Sequence, residues 1–333
     1  FWRGHWHLLF VAPMLAGALS LVGNLTHQIG VVDKQRRRLG AYVSPKVRQK
    51  ITIEGVELTG EEMPVTILFC DIRDFSSWSE KKSPETVVRM LNHFFEAMTR
   101  IIHDEEGTLD KYTGDGLMAF FGAPYELPDQ ERRACTAALR MQEALQELRQ
   151  SAESRHQERS AQDDRLPDFR KIRIGIGLNT GLATVGNTGS RDIVNYTAIG
   201  DQVNLASRVE GLTKAFQVEI LVTHETRRGA DDAFLFRPLG LQEVKGIKKP
   251  VELFELVAEA PGTQQQERNA LFEQGLAALF KQRDLDRAEK DFHELVDRFE
   301  DGPSNFYLAR IEHWRQNPAE FDTWDGVIHH TEK

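Results

Sequence analysis

A mixed fold of strands and helices, α/β or α+β, is what the sequence predicts for residues 65–257, and two observations predict it. Compact apolar runs of strand length alternate there with longer segments whose apolar residues recur at helical spacing. The composition also allows a buried core, since 40% of the 333 residues are hydrophobic and only 12 are proline. That length accommodates about two domains of ~100–200 residues each.

Residues 65–70 (VTILFC) form a buried strand that ends on Asp71. Ser83-Pro84-Glu85 opens a helix that continues through Val87, Val88, Leu91, Phe94, Phe95, Met98, Ile101 and Ile102. Residues 109–121 (LDKYTGDGLMAFF) read as two short strands folded about Gly114-Asp115-Gly116. The pattern is helical again from Pro128 to about Ser160, with 151–168 polar enough for an exposed extension or loop. Residues 172–178 are a strand and 181–186 enter another; 201–213 are a helix, 219–223 a strand, and 234–256 a pair of strands around Lys245-Gly246. Upstream, 33–63 read as a basic helix and connector, with Pro45 opening a second helix after Ser44. Downstream, 259–266 is a linker and 267–333 a helical tail.

Charge divides the chain. The net −9 argues against a nucleic-acid binder, which normally shows a basic face. The first 50 residues carry +7 and the remainder −16. Residues 4–32 contain no Lys, Arg, Asp or Glu, and 8–25 (LLFVAPMLAGALSLVGNL) would span ~27 Å as a helix, close to a bilayer core. Trp2 and Trp6 suit an interfacial belt. The preferred reading of 1–32 is a transmembrane helix touching membrane lipid; a buried core helix or a signal peptide is the other reading of such a run. Lys34, Arg36, Arg37 and Arg38 follow at once, so the positive-inside rule places everything after them in the cytoplasm, at the inner (plasma) membrane. The chain starts at Phe1 rather than Met, which points to a region upstream that has been cut away. Two cysteines, Cys70 and Cys135, make neither a disulfide framework nor a metal cluster.

Several positions could carry chemistry. Asp71 follows an apolar strand directly, and Asp115 sits at a hairpin tip between glycines. Carboxylates brought together at adjacent strand ends make a hard-oxygen pocket suited to magnesium or manganese handling a polyphosphate. An Asp at a strand end or turn is equally the common solvated breaker. In Gly175-Ile-Gly-Leu-Asn-Thr-Gly181 the third glycine is misplaced for dinucleotide binding and no helix opens, so strand packing accounts for the glycines; no P-loop occurs. Asn204 and Arg208, i and i+4 on one helix, could deliver an amide and a guanidinium to one anion, or form a solvated face.

The runs LFCDIRDFS (68–76), GTLDKYTGDGLMAFFGAP (107–124), IRIGIGLNTG (172–181), VNYTAIGDQVNLASRVEGL (194–212) and EVKGIKKPVELFEL (243–256) resemble the catalytic domain of class III nucleotidyl cyclases, in the right order over nearly all of 64–257. The resemblance implies an α+β fold of ferredoxin-like type, βαββαβ with additions, over 64–258. It also implies a head-to-tail homodimer with two sites at the interface. The family's metal-binding aspartates fall on Asp71 and Asp115, with the Ile72 carbonyl as an extra ligand, so two Mg²⁺ or Mn²⁺ ions per site are implied. The purine-selecting positions, contributed by the partner protomer, fall on Lys111 and Thr197. A lysine donates to adenine N1, whereas guanine presents a donor there, so the implied substrate is ATP. Some members carry Asp where Thr197 stands, and a hydroxyl keeps the acceptor for the adenine amino group while loosening the selection.

Asn204 and Arg208 match the residues that orient the ribose and stabilise charge on the α-phosphate; Lys245 matches a triphosphate-binding lysine and Arg191 a second phosphate contact. The implied activity is adenylate cyclase: in-line attack of the ribose 3′ oxygen on the α-phosphorus, with two metals and cationic side chains taking up charge on the departing pyrophosphate, giving 3′,5′-cyclic AMP. Guanylate cyclase, or a non-catalytic signalling module, is the alternative. RRRLGAYVSPKVRQKI (36–51) is similar to the segment coupling membrane or sensor regions to such cyclases. The ending WDGVIHHTEK resembles tails of bacterial membrane cyclases with an extracytoplasmic CHASE-type sensor. Phe272, Gly275, Ala288 and Phe292 resemble a tetratricopeptide unit whose Gly-to-Ala spacing is one residue too wide, and one such unit must dock elsewhere to bury its face.

Overall fold

In the computed structural model the described residues are 44–54, 58–158, 168–190, 193–230, 233–247 and 249–330. The chain divides into two units, residues 1–55 and 56–333. The described part of the first is helix α1 (Pro45–Glu54), opened as expected by Ser44, whose carbonyl accepts from the Arg48 N–H at 2.9 Å. The apolar run 8–25, expected as a membrane span, lies outside the described residues. Among those residues no helix is long and apolar enough to cross a membrane.

In the second unit the elements run β1 (Gly60–Ile72), α2 (Phe75–Ser79), α3 (Pro84–Asp104), β2 (Thr108–Tyr112), β3 (Gly116–Phe121), α4 (Gln130–Glu158), β4 (Ile174–Gly189), β5 (Val194–Ile199), α5 (Asp201–Phe216), β6 (Ile220–Thr223), α6 (His224–Gly229), β7 (Leu235–Glu243) and β8 (Val251–Ala258). The tail follows as α7 (Thr263–Ala277), α8 (Leu285–Phe299), α9 (Gly302–Gln316), α10 (Pro318–Thr323) and β9 (Val327–His329). The strands form one sheet in the order β2-β3-β1-β4-β6-β8-β7-β9, with β5 paired to β4. Strands β2, β3, β1 and β4 are antiparallel neighbours, and with α3 and α4 as crossovers they trace the expected βαββαβ.

Helix α3 starts where its sequence says it must. Ser83 caps it by accepting the Thr86 N–H at 3.3 Å, with Pro84 in the first turn. Its Met90, Phe94, Met98, Ile101 and Ile102 are buried against Leu68, Cys70 and Ile72 of β1 and the inner face of α4. Val88, expected on that stripe, is exposed. Residues 172–178 and 181–186, expected as separate strands, belong to one long β4: β1 pairs straight through Asn179, Thr180 and Gly181, so the glycine is a ladder position rather than a break.

The tail departs further from expectation. Residues 263–266, expected in the linker, are already the first turn of α7, because the Gln265 side chain reaches back to accept the Gly262 N–H at 2.9 Å. Between Gly275 and Ala288 the chain makes a π-helical turn at Ala278–Gln282. The segment 267–333 is not helical to its end. After Gly326, with φ +88°, Val327–His329 pairs in parallel with Leu241–Glu243 and covers the open edge of β7.

Docking is deep: Phe272, Phe292, Leu295, Tyr307 and Ile311 share one core with Leu205, Val209 and Phe216 of α5 and Leu221, Leu239 and Leu253 of the sheet. A buried ion cluster pins the contact. Arg237 donates to Glu255 (2.6 Å) and Asp301 (2.5 Å), lies over the Phe272 ring at 4.7 Å, and Asp301 in turn caps α9 through the Ser304 N–H at 3.1 Å.

Candidate active site

Strand register brings the two aspartates together. Asp71, next to last in β1, stands opposite Gly116 on one side and Gly175 on the other. Asp115 lies in the turn just before Gly116, closed by a Thr113 N–H to Gly116 carbonyl bond of 2.9 Å. Backbone requires the first glycine, since a Cβ on Gly116 would lie 2.5 Å from the Cys70 carbonyl oxygen, whereas at Gly175 the nearest atoms belong to side chains. The Gly116 Cβ would also lie 2.8 Å from Asp71 Oδ1, and one on Gly175 would lie 2.5 Å from the Arg73 guanidinium. Ile72 closes the strand beside Asp71.

The pocket is electrostatically strained. Burial, and then the negative charge of Asp115, push Asp71 up to about 6, against the partial relief of Arg73 and of a hydrogen bond from the Ile72 amide. Glu210 is pushed up to about 7 by burial and by Asp71. Arg73 directs its donors elsewhere, to Thr213 Oγ1 and to the Val218 carbonyl at 3.3 Å. Among the described residues no three His, Cys, Asp or Glu side chains converge as a metal cluster. The donors for a cation are therefore two carboxylates and backbone oxygen, a hard set that fits a magnesium- or manganese-sized ion keeping several of its waters.

Helix α5 lies flush on β4, because a Cβ on Gly177 would fall 2.2 Å from the Glu210 amide nitrogen. The glycines of β4 are thus accounted for by packing, as expected. The helix presents Asn204 on an exposed position and Arg208 on a half-buried one. The Arg208 guanidinium abuts the turn between β7 and β8, 2.7 Å from where a Gly246 Cβ would sit, and its Nη1 is buried without a hydrogen-bond partner among the described residues. That turn carries Lys245, so two of the expected phosphate contacts are neighbours. Arg191 lies outside the described residues.

Lys111 and Thr197, 86 residues apart in sequence, also meet: Lys111 Nζ donates to Thr197 Oγ1 at 3.2 Å. Asp110, which the motifs had not singled out, joins them. Its carboxylate accepts the Thr197 hydroxyl at 2.5 Å and pairs with Lys111 Nζ at 3.3 Å, with its own side chain 1% exposed. Burial pushes its pKa up, while Thr197 and Lys111 pull it down. Also missed were Arg73 and Glu210, whose proximity to Asp71 comes from the β1–β4–α5 packing and leaves no mark in local spacing.

Residues 59–258 match the family described as adenylate and guanylate cyclase catalytic domain. The chain belongs to that family. It is 34% identical over 193 residues to adenylate cyclase 1 of Rhizobium meliloti, covering 58% of this chain and 27% of that protein. It is 35% identical over 212 residues to an adenylate cyclase of Anabaena cylindrica, covering 62% and 39%. The chain thus spans well under half the length of these relatives. Among solved structures it is similar to the adenylyl cyclase CyaB from P. aeruginosa, with TM-score 0.53 and 32% identity over 60% of this chain and 97% of that one. It is equally similar to a guanylyl cyclase, with TM-score 0.52 and 33% identity over 62% and 98%.

Proposed function

We propose that this chain is an adenylate cyclase, converting ATP to 3′,5′-cyclic AMP and pyrophosphate at the interface of a homodimer. Overall likeness does not choose the base, being the same to an adenylyl and a guanylyl cyclase. The observation that carries the choice is the Lys111–Thr197 contact at 3.2 Å: an ammonium to donate to adenine N1 beside an oxygen to accept from its 6-amino group. Guanine offers a donor at N1 and would meet the wrong partner there in the Lys111 ammonium.

In this reading Asn204 orients the ribose, and Arg208, its Nη1 still without a partner, takes up charge at the α-phosphate. Lys245 and Arg191 hold the departing pyrophosphate, which leaves as the 3′ oxygen forms its bond to the α-phosphorus. Asp71, Asp115 and the Ile72 carbonyl would hold two Mg²⁺ or Mn²⁺ ions, which when bound supply Lewis-acid charge stabilisation. Exposed Leu182, Ile193 and Ile199 on and beside the paired strands β4 and β5 support a second protomer covering that face, from which Lys111 and Thr197 would reach the partner's metal side. The segment 8–25 is read as the membrane anchor, with the catalytic domain on the cytoplasmic side.

Purified full chain incubated with Mn²⁺ and either ATP or GTP tests the proposal. Cyclic AMP from ATP, and an ATP preference of about tenfold or more that Lys111→Glu reverses, are expected, since each recognised polar group contributes about a factor of ten. A wild-type preference for GTP would refute the base assignment.

A further inference from the structure

We propose that Asp110 is a positioning residue for base selection, which makes Thr197 an obligate hydrogen-bond acceptor and so restores the discrimination that a hydroxyl alone would loosen. This rests on the reading of Lys111 and Thr197 as the base-facing pair.

The argument is proton accounting. A threonine hydroxyl carries one proton and two lone pairs, so by itself it can accept from adenine's 6-amino group or donate to guanine's 6-oxo group. Here the proton is committed. An ionised carboxylate only accepts, and Asp110 Oδ2 lies 2.5 Å from Thr197 Oγ1, against 3.5 Å for the competing Ala198 carbonyl. A lysine ammonium only donates, and Lys111 Nζ at 3.2 Å takes one lone pair of the same oxygen. What remains on Thr197 for a base is a lone pair and no proton. The Ala198 amide, 3.4 Å from Asp110 Oδ2, helps hold the carboxylate in place.

Backbone geometry explains how neighbouring residues serve one oxygen. Successive side chains of a regular strand face opposite ways, but the β2–β3 register shifts between Leu109 and Lys111, a bulge centred on Asp110. The bulge lets both Asp110 and Lys111 reach Thr197 on β5. With its carboxylate 1% exposed, Asp110 touches no base itself and acts through the hydroxyl it holds.

The test compares kcat/KM of the full chain for ATP, for purine riboside triphosphate, which lacks the 6-amino group, and for inosine triphosphate, which carries a 6-oxo group. Wild type should favour ATP over both by about tenfold or more. In Asp110→Ala the ATP advantage over inosine triphosphate should shrink to about threefold or less, with use of purine riboside triphosphate little changed, because the freed Thr197 hydroxyl can then donate as well as accept. Asp110→Asn, which keeps the shape, should move the ratios the same way, since its amide can donate to Thr197 and free the hydroxyl proton. Adding Thr197→Asp to Asp110→Ala should restore discrimination, because a carboxylate accepts without help. Equal losses for all three substrates, or wild-type ratios in a folded Asp110→Asn, would overturn the inference. A wild type that makes no cyclic AMP, or prefers GTP, would instead overturn the functional reading beneath it.

Discussion

Two clusters of carboxylates and arginine lie in the same sheet, and they are compensated in opposite ways. At the tail contact, Arg237 faces Glu255 and Asp301 at hydrogen-bond distance, Arg237 and Asp301 fully buried and Glu255 partly so. Burial pulls the Arg237 pKa down, yet the two carboxylates more than offset it and hold the guanidinium above its ordinary value. At the strand ends Arg73 turns its donors to Thr213 and a carbonyl, and burial, with the charge of Asp115 on Asp71 and of Asp71 on Glu210, raises both Asp71 and Glu210. One cluster closes on itself and serves packing; the other is left short of positive charge, which is what a site for divalent cations and a polyphosphate requires.

The contrast can be broken hardest at the closed cluster. Arg237→Ala would strip the guanidinium from buried Asp301, leaving it only its Ser304 donors, and from Glu255, leaving it Arg268 at 3.9 Å; the expected cost is about 3 kcal/mol, read as a fall of roughly 10 °C in the thermal midpoint. A loss as small as that of a surface pair, under about 1 kcal/mol, would mean the cluster does not pin the tail. At the open cluster the sign reverses on adding cation. Mn²⁺ at about a hundred times its Kd should stabilise the wild-type fold by about 2.7 kcal/mol, and Asp115→Asn should abolish most of that gain in the same melting experiment.

A smaller effect is expected from pH alone. Asp71 and Glu210 have ordinary values of 3.8 and 4.5 and folded values of about 6 and about 7. Both therefore hold protons more tightly folded than unfolded. Between pH ~4 and ~7 the folded state binds more protons, and stability falls as pH rises. Without divalent cation the midpoint should drop by a few degrees from pH 5 to pH 8, and Glu210→Gln should flatten the drop. A midpoint that rises over that interval through these groups would contradict the assignment of the strain.

The two clusters also differ in how far the sequence foretells them. Asp71 and Asp115 are legible because each interrupts an apolar strand pattern at its end, and Lys111, Thr197, Asn204 and Arg208 sit in contiguous motifs. The closed cluster is illegible: Arg237 and Glu255 meet through the β7–β8 register, and Asp301, a helix cap 64 residues beyond Arg237, joins them only through the docked tail. Asp110 hides for a related reason, since its partner Thr197 is 87 residues away and the bulge that aims it depends on pairing with β3. Strand β9 was missed because three residues are too few to show a period, and its pairing is supplied by the edge of β7.

The most direct test of the open cluster's role is the initial rate of cyclic AMP formation from ATP in Mn²⁺, wild type against Asp71→Asn. The expected result is product from the wild type and a loss of more than about a hundredfold in the variant, in a protein that melts no lower than wild type without metal because a like-charge contact has been removed. A variant that keeps the wild-type rate would contradict the account.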